Sequence, residues 1–319
     1  MSPLRIGAIV LGAVLTIGTS ASQAIEIAPS AGRTAAARAK ATTARQPTKV
    51  VFETASIDSL ARLFDGLGFR LELVSHGTPV PRVIVASLPD GMRKMKSIKD
   101  RTRLFRRILL PLVLVTNEEI MADRRRLLAL KRKQEIGASL TAAESVWLWS
   151  LAHAYKVKDG DLKELVRRVD AIPPSLAIAQ AIEESGWGTS AYARKGNAIF
   201  GQETYLAAAD GMDGKHRGRK FKIKVFPSLR SAVKSYARNL NTHFAYKKMR
   251  AERALARARG ETPKGYLLIG TLIHYSERGK AYIRTIRQVM DNFDLRGLDE
   301  AGLAKGNPTI FVFKPSPGS

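Results

Sequence analysis

The sequence predicts an α+β fold that is mainly α, and three observations carry that expectation. Apolar residues recur three and four positions apart through "RLFRRILLPLVLVTNEEIMADRRRLLALKRK" and "AESVWLWSLAHAYKV", the spacing of helices with a buried face. One stretch, "KFKIKVF", instead alternates Phe221, Ile223 and Val225 with Lys222 and Lys224, the two-residue period of a half-buried strand. With 45% hydrophobic residues in a chain of 319, there is enough apolar surface to bury a core.

Taken in order, the chain opens with Arg5, an apolar run from Ile6 to Ile17 and the small-residue stretch "GTSASQA". Residues 1–24 therefore read as a secretory signal peptide with Ser22 and Ala24 before the cut. The other reading, an uncleaved anchor, suffers because about 20 apolar residues are needed to span a bilayer. Residues 25–48 are rich in Ala, Thr and basic side chains and read as a flexible linker. Order is expected from about residue 49. A small mixed segment over 49–95 holds a strand at Val50 to Glu53, a helix around Ile57 to Leu67, and extended pieces at "FRLELV" and "PRVIVASLP". The main domain spans 96–300, and within it Pro111 should kink a helix or start a new one. The clusters Arg124 to Arg126 and Lys131 to Lys133 fit either the solvated face of a helix or a polymer-binding patch. "GDLKELVRRVDAI" reads as a short amphipathic helix, the Gly-rich "DGMDGKHRG" as a hairpin turn, and Ser228 as the cap of the following helix. A last helix near Ala281 to Asn292 precedes a Gly- and Pro-rich tail over 301–319 that is expected to be loose.

Charge narrows the partners. With 53 Lys and Arg against 28 Asp and Glu, the formal charge of +25 favours a polyanion: nucleic acid, an anionic membrane, or a carboxylate-bearing polymer. Export argues against nucleic acid, and so does the lack of an aromatic-and-basic strand signature. The absence of cysteine removes disulfides and thiolate metal sites, and five histidines without close spacing make a zinc amidase a poor fit. No cofactor is implied.

The chemistry concentrates at "AIEESGWGTS". Pro173 and Pro174 suit only the first turn of a helix, which should run to Ser185 with Gly186 as its left-handed stop. At about 100° per residue, Ile178, Ile182 and Ala179 share one side, while Glu184 lies with Ala177, Gln180 and Ala181. Glu183 projects beside Leu176. Glu184 thus faces small residues that leave room for a ligand. Its place at the negative end of the helix dipole, and burial against Trp187, should both raise its pKa. A carboxyl group that stays protonated near neutral pH can hand a proton to a departing sugar oxygen, so Glu184 is the candidate general acid. The plainer reading makes both glutamates solvated charges.

"AQAIEESGWGTSAYARKGNAIFGQ" resembles the signature of glycoside hydrolase family seventy-three, the bacterial glucosaminidases that cut peptidoglycan glycan strands. "PLVLVTNEEIMADRRRLL", "YARNLNTHFAY" and "YSERGKAYIRTIRQVM" further resemble its Bax-type bacterial branch. The resemblance spans roughly residues 50 to 295. It implies a lysozyme-like fold with a helical lobe and a small β-hairpin lobe flanking a cleft. It maps the family's acid onto Glu184 and its loop residues onto Asn197 and Phe200, and it sets Tyr275 and Tyr282 beside the cleft, with Trp187 among the substrate-binding residues. For Asn197 a turn role, for Phe200 a core role and for the tyrosines half-buried packing are the alternatives.

A paired-acid mechanism also needs a carboxylate on the opposite wall. The hairpin segment offers Glu203, Asp210 and Asp213, and counting back from "KVFPS" favours Asp210. Ser231 stands where the resemblance leads one to expect an acid. The expected protein is a periplasmic or secreted, monomeric endo-β-N-acetylglucosaminidase acting on the peptidoglycan glycan strand, without a stable membrane span. The rivals are a lytic transglycosylase and a non-catalytic wall-binding protein.

Overall fold

One helix organises the molecule. In the computed structural model, which describes residues 48–52, 56–158, 160–204, 211–216 and 219–313, α3 runs unbroken from Ile98–Glu135. Before it come β1 (Thr48–Phe52), α1 (Ile57–Gly66), α2 (Leu71–Val74) and β2 (Val83–Val85). After it come α4 (Ala142–Ala154), α5 (Leu162–Arg168), α6 (Pro174–Ser185) and α7 (Ala191–Gly196). The strands β3 (Glu203–Thr204), β4 (Gly211–His216) and β5 (Arg219–Lys224) follow. The helices α8 (Leu229–Thr242), α9 (Lys247–Ala258), α10 (Gly265–Leu268) and α11 (Lys280–Asn292) and the strand β6 (Thr309–Phe313) complete the order.

The sequence signals mark most helix starts. Ser56, Ser97, Asp161, Ser190 and Ser228 each accept from a backbone N–H in the first turn of the next helix, and Thr141 and Glu144 form a reciprocal capping box. Pro111 does not divide α3, contrary to expectation. A proline inside a helix costs about 3 kcal/mol, but Ile108, Leu109, Leu110, Leu112 and Val113 around it are all buried. Each such side chain contributes roughly 1.5–3 kcal/mol when withdrawn from water, so packing outweighs the local penalty.

Two small sheets depart from the expected pattern. The first is parallel, in the order β1-β6-β2, with Thr48 opposite Thr309 and Val83 also opposite Thr309. Residues 309–313, expected as part of a loose tail, are thus its central strand, because Phe311 reaches the main core while both edges pair. The second sheet is antiparallel, β3-β5-β4. "KFKIKVF" supplies β5 as expected, but "GMDGKH", read as part of the turn, is itself the partner strand β4. "LELV", expected extended, is a single helical turn.

The main core unites α1, β2, Phe311 of β6, the first half of α3, α6, α8 and α11 around Phe105, Leu110, Ile178, Ile182 and Ile286. A smaller one joins Leu127 of α3 to Leu151, Tyr155 and Leu165. Among the described residues no helix is long and apolar enough to cross a membrane, and no group of His, Asp and Glu could hold a metal ion. The signal-peptide assignment and all of the linker but Thr48 fall outside the described residues, as does Asp210.

Arg124 corrects the reading of its cluster as a solvated face. It is buried, and its Nη1 donates to the carbonyl of Val169 at 2.8 Å beside the buried Asp170. Arg126 stays at the surface with its guanidinium 4.2 Å from the centre of the Trp147 ring. Lys131 and Lys133 pair with Glu135 and Glu144.

Candidate active site

The site grows from the end of α6. The helix begins where Pro174 fills a position whose N–H needs no partner, and the next free donor, the Ser175 N–H, gives to Asp299 Oδ1 at 2.9 Å. The same carboxylate accepts from Ser175 Oγ and from the Gly265 N–H, so a distant acid caps the helix. α6 stops at Gly186, whose φ of 56° lies in the left-handed region that glycine enters freely. Glu184 is left in the last turn, facing a groove of about 860 Å³.

Three hydrogen bonds converge on that carboxyl group in series. The Tyr236 hydroxyl donates to Gln180 Oε1 at 2.7 Å, Gln180 Nε2 donates to the Tyr282 hydroxyl at 2.9 Å, and Tyr282 donates to Glu184 Oε1 at 2.8 Å. Gln180 is four residues before Glu184, one helical turn away on the same face, as the wheel required. Oε1 is thereby engaged as an acceptor. The other oxygen, Oε2, lies against the backbone of Gly201, where an added Cβ would stand 3.3 Å from it, and Gly201 has φ 59°. Glycine suits both the left-handed conformation and the close approach.

Burial holds the Glu184 pKa up at about 7; the Tyr282 hydrogen bond opposes this, the charge of Glu183 adds to it and Arg278 subtracts. Desolvation therefore dominates; Trp187 follows the helix cap. That residue leaves the helix with φ 62°, and its ring packs edge-on against Phe293, 4.4 Å between centres. Trp187 does not line the groove. The neighbouring tyrosines Tyr236, Tyr275 and Tyr282 are all pushed up by burial, so each remains a neutral phenol.

The other expected residues divide. Phe200 lines the groove while its ring stacks on Tyr236, 3.9 Å between centres, so its groove and core roles coincide. Tyr275 lines the groove and stacks on Tyr282 at 5.5 Å. Asn197 is brought to neither: it is the left-handed cap of α7, with φ 52°, and its Nδ2 donates to the carbonyl of Phe226 at 3.0 Å. It fixes the turn between α7 and the sheet lobe. Of the hairpin acids that are described, Glu203 lines the groove. Asp213 pairs across the strands with Lys222, whereas Glu203 and Met212 pair with Ile223. Because the side chains of a strand alternate between faces, Asp213 lies on the face opposite Glu203.

Ser231 has a local explanation. It is the third residue of α8, its N–H donates to Ser228 Oγ, and its own hydroxyl lies 3.0 Å from that oxygen. An acid there would complete a capping box, so its replacement alters a helix start and leaves the groove untouched. Sequence reasoning missed Tyr246, Tyr192, Gln202, His274 and Arg278, which also line the groove. Gln180 and Tyr236 carried one signal: a polar side chain on the acid's own helical face needs a buried partner.

The fold and this site, a protonatable carboxyl in a groove between helices and a small antiparallel sheet, define a glycoside hydrolase. Residues 161–295 match the glucosaminidase family model, described as mannosyl-glycoprotein endo-beta-N-acetylglucosaminidase. The chain is 36% identical over 203 residues to Protein bax of Escherichia coli (strain K12), covering 62% of this chain and 71% of that protein. The catalytic domain of the autolysin Auto from Listeria monocytogenes aligns over 54% of this chain and 97% of that one, with 16% identity and a TM-score of 0.33. The chain belongs to the glucosaminidase family, glycoside hydrolase family seventy-three, in its Bax-type branch.

Proposed function

We propose that the protein is an exported endo-β-N-acetylglucosaminidase that hydrolyses the β-1,4 bond after GlcNAc in peptidoglycan, with Glu184 as its general acid. One observation carries the reading: a largely buried carboxyl at the groove wall with a pKa near 7, one of whose oxygens is already occupied by Tyr282. The transferable proton then sits on Oε2, beside Gly201. In the reaction it passes to the leaving glycosidic oxygen as the C1–O bond breaks, and Glu184 becomes a carboxylate. Water adds its hydroxyl to C1 and gives its remaining proton to a carboxylate of the groove, and with that proton Glu184 regains its acid form. Family membership supports the peptidoglycan assignment; the apolar run and small residues of 1–24 support export.

For the second carboxylate, Asp210 and Glu203 remain the candidates, and the groove position of Glu203 favours it. Purified peptidoglycan digested by wild type, Glu184→Gln, Glu203→Gln and Asp210→Asn tests each part. Released fragments ending in reducing GlcNAc are expected from wild type and lost with Glu184→Gln. Products ending in a 1,6-anhydro sugar would make the protein a transglycosylase. Cleavage by Glu184→Gln at the wild-type rate would reject the acid.

A further inference from the structure

A chain of +25 formal charge gives its groove a contrary lining. Among the described residues along it stand three glutamates, Glu184, Glu203 and Glu277, and a single arginine or lysine, Arg278. Among the described residues, an anionic group that enters the groove thus has one arginine or lysine of its lining to meet. Arg278 is half exposed and sits in the loop before α11, with its guanidinium 5.9 Å from the centre of the Tyr282 ring, the residue bonded to the proposed acid. Its Nη2 donates to Thr285 Oγ1 at 2.6 Å, which fixes the fork, and its Nη1 donates to Glu183 Oε1 at 2.5 Å.

Resting on the glucosaminidase reading, we propose that Arg278 is the carboxylate-binding residue of the groove, and that Glu183 occupies it when no substrate is bound. The ligand is a sugar polymer carrying carboxylates close to the scissile bond, whether on an ether side chain of the sugar itself or on a peptide attached to it. An arginine presents five N–H donors in a fork that fits a carboxylate, and the two named bonds use two of them. The pair with Glu183 is partly exposed on both sides, and pairs of that kind contribute little net stability, so exchange for a substrate carboxylate costs little. A neutral polymer offers nothing in return for the ordering of the arginine. The adjacent glutamates of "IEESG" then have separate duties: Glu184 gives the proton, and Glu183 holds the place of the incoming anion.

The test compares three forms of one GlcNAc–muramic acid oligosaccharide: the free lactyl acid, its methyl ester, and the form whose lactyl group is amide-linked to a peptide ending in a carboxylate. Wild type should cleave a carboxylate-bearing form over the ester by about 10- to 100-fold in kcat/KM, chiefly through KM, the size expected of a charge-assisted hydrogen bond. Whichever of the two acids shows the preference identifies its source. Arg278→Gln should bring that ratio to about 1, Arg278→Lys should keep part of it, and Glu183→Gln should lower KM for the acid. A thermal melt of each variant checks folding. A ratio equal in wild type and Arg278→Gln, or no preference in wild type, overturns the proposal. If wild type cleaves none of the three, the catalytic reading fails, and calorimetric binding of acid and ester to the Glu184→Gln protein still decides the carboxylate site by the same ratio.

Discussion

Among the carboxyl groups withdrawn from water, Asp170 and Glu184 have contrasting surroundings. Asp170, only 2% exposed, is ringed by Arg124, Arg253 and Arg257, at 3.8, 3.7 and 3.1 Å. Glu184 is met by one phenol at 2.8 Å and by glycine backbone. Three guanidinium groups surround the Asp170 carboxyl, and the cluster ties α3 and α9 to the segment after α5. Glu184 has one phenol as its hydrogen-bond partner, and burial raises its pKa to about 7. Burial raises the pKa of a carboxyl group that no cation bonds to, and the proton so held can reach a substrate only where the group faces a groove.

The comparison is broken most completely by removing the proton from the groove. Glu184→Gln should lower kcat/KM on peptidoglycan by about 10³-fold, the ordinary range for a lost general acid, with sacculus binding retained in a pull-down. Next is Asp170→Ala, which leaves the buried Arg124 and Arg253 and the half-buried Arg257 facing a void. It should cost roughly 3–5 kcal/mol of stability in denaturant titration, with activity per folded molecule little changed.

A smaller effect sharpens the contrast. Tyr282→Phe removes the hydrogen bond that lowers the Glu184 pKa, so the alkaline limb of the kcat/KM profile, expected near pH 7 in wild type, should move upward while the rate falls about tenfold. A limb that stays in place would show that the phenol does not set the acidity. Stability follows the same group with a definite sign. Its folded pKa lies above the ordinary 4.5, so between about pH 4.5 and 7 the folded state binds the extra proton, and stability falls as pH rises through that window. Glu184→Gln should therefore melt above wild type at pH 8 and with it below pH 4. The smallest expected change is Glu183→Gln on an uncharged substrate, within about threefold of wild type, because Glu183 adds only a minor charge term to its neighbour.

How much of this was legible depended on distance along the chain. α6 was legible because prolines, a glycine and the positions of Ile178, Ile182 and Glu184 all act within one helix. Gln180 could be set on the acid's face, but Tyr236 and Tyr282, which complete the relay, lie 56 and 102 residues away from it. Trp187 and Asn197 each adopt a left-handed backbone that local pattern does not signal, and their side chains meet Phe293 and the Phe226 carbonyl. β4 was hidden by its glycines, which strands disfavour. There Gly214 is required, since an added Cβ would meet the Phe221 ring at 2.5 Å. Arg278 left no signal at all, because it is one basic residue among 53.

The strand at 309–313 lies between the strands at 48–52 and 83–85, so the first sheet cannot be assembled until the last described residues have left the ribosome. Contacts that join such remote stretches form slowly. A chain stopped at residue 308 would carry the whole groove and its acid, yet β1 and β2 would be left with no strand to join them. The strand at 309–313 is thus the seam of this sheet, sewn from stretches that lie far apart along the chain.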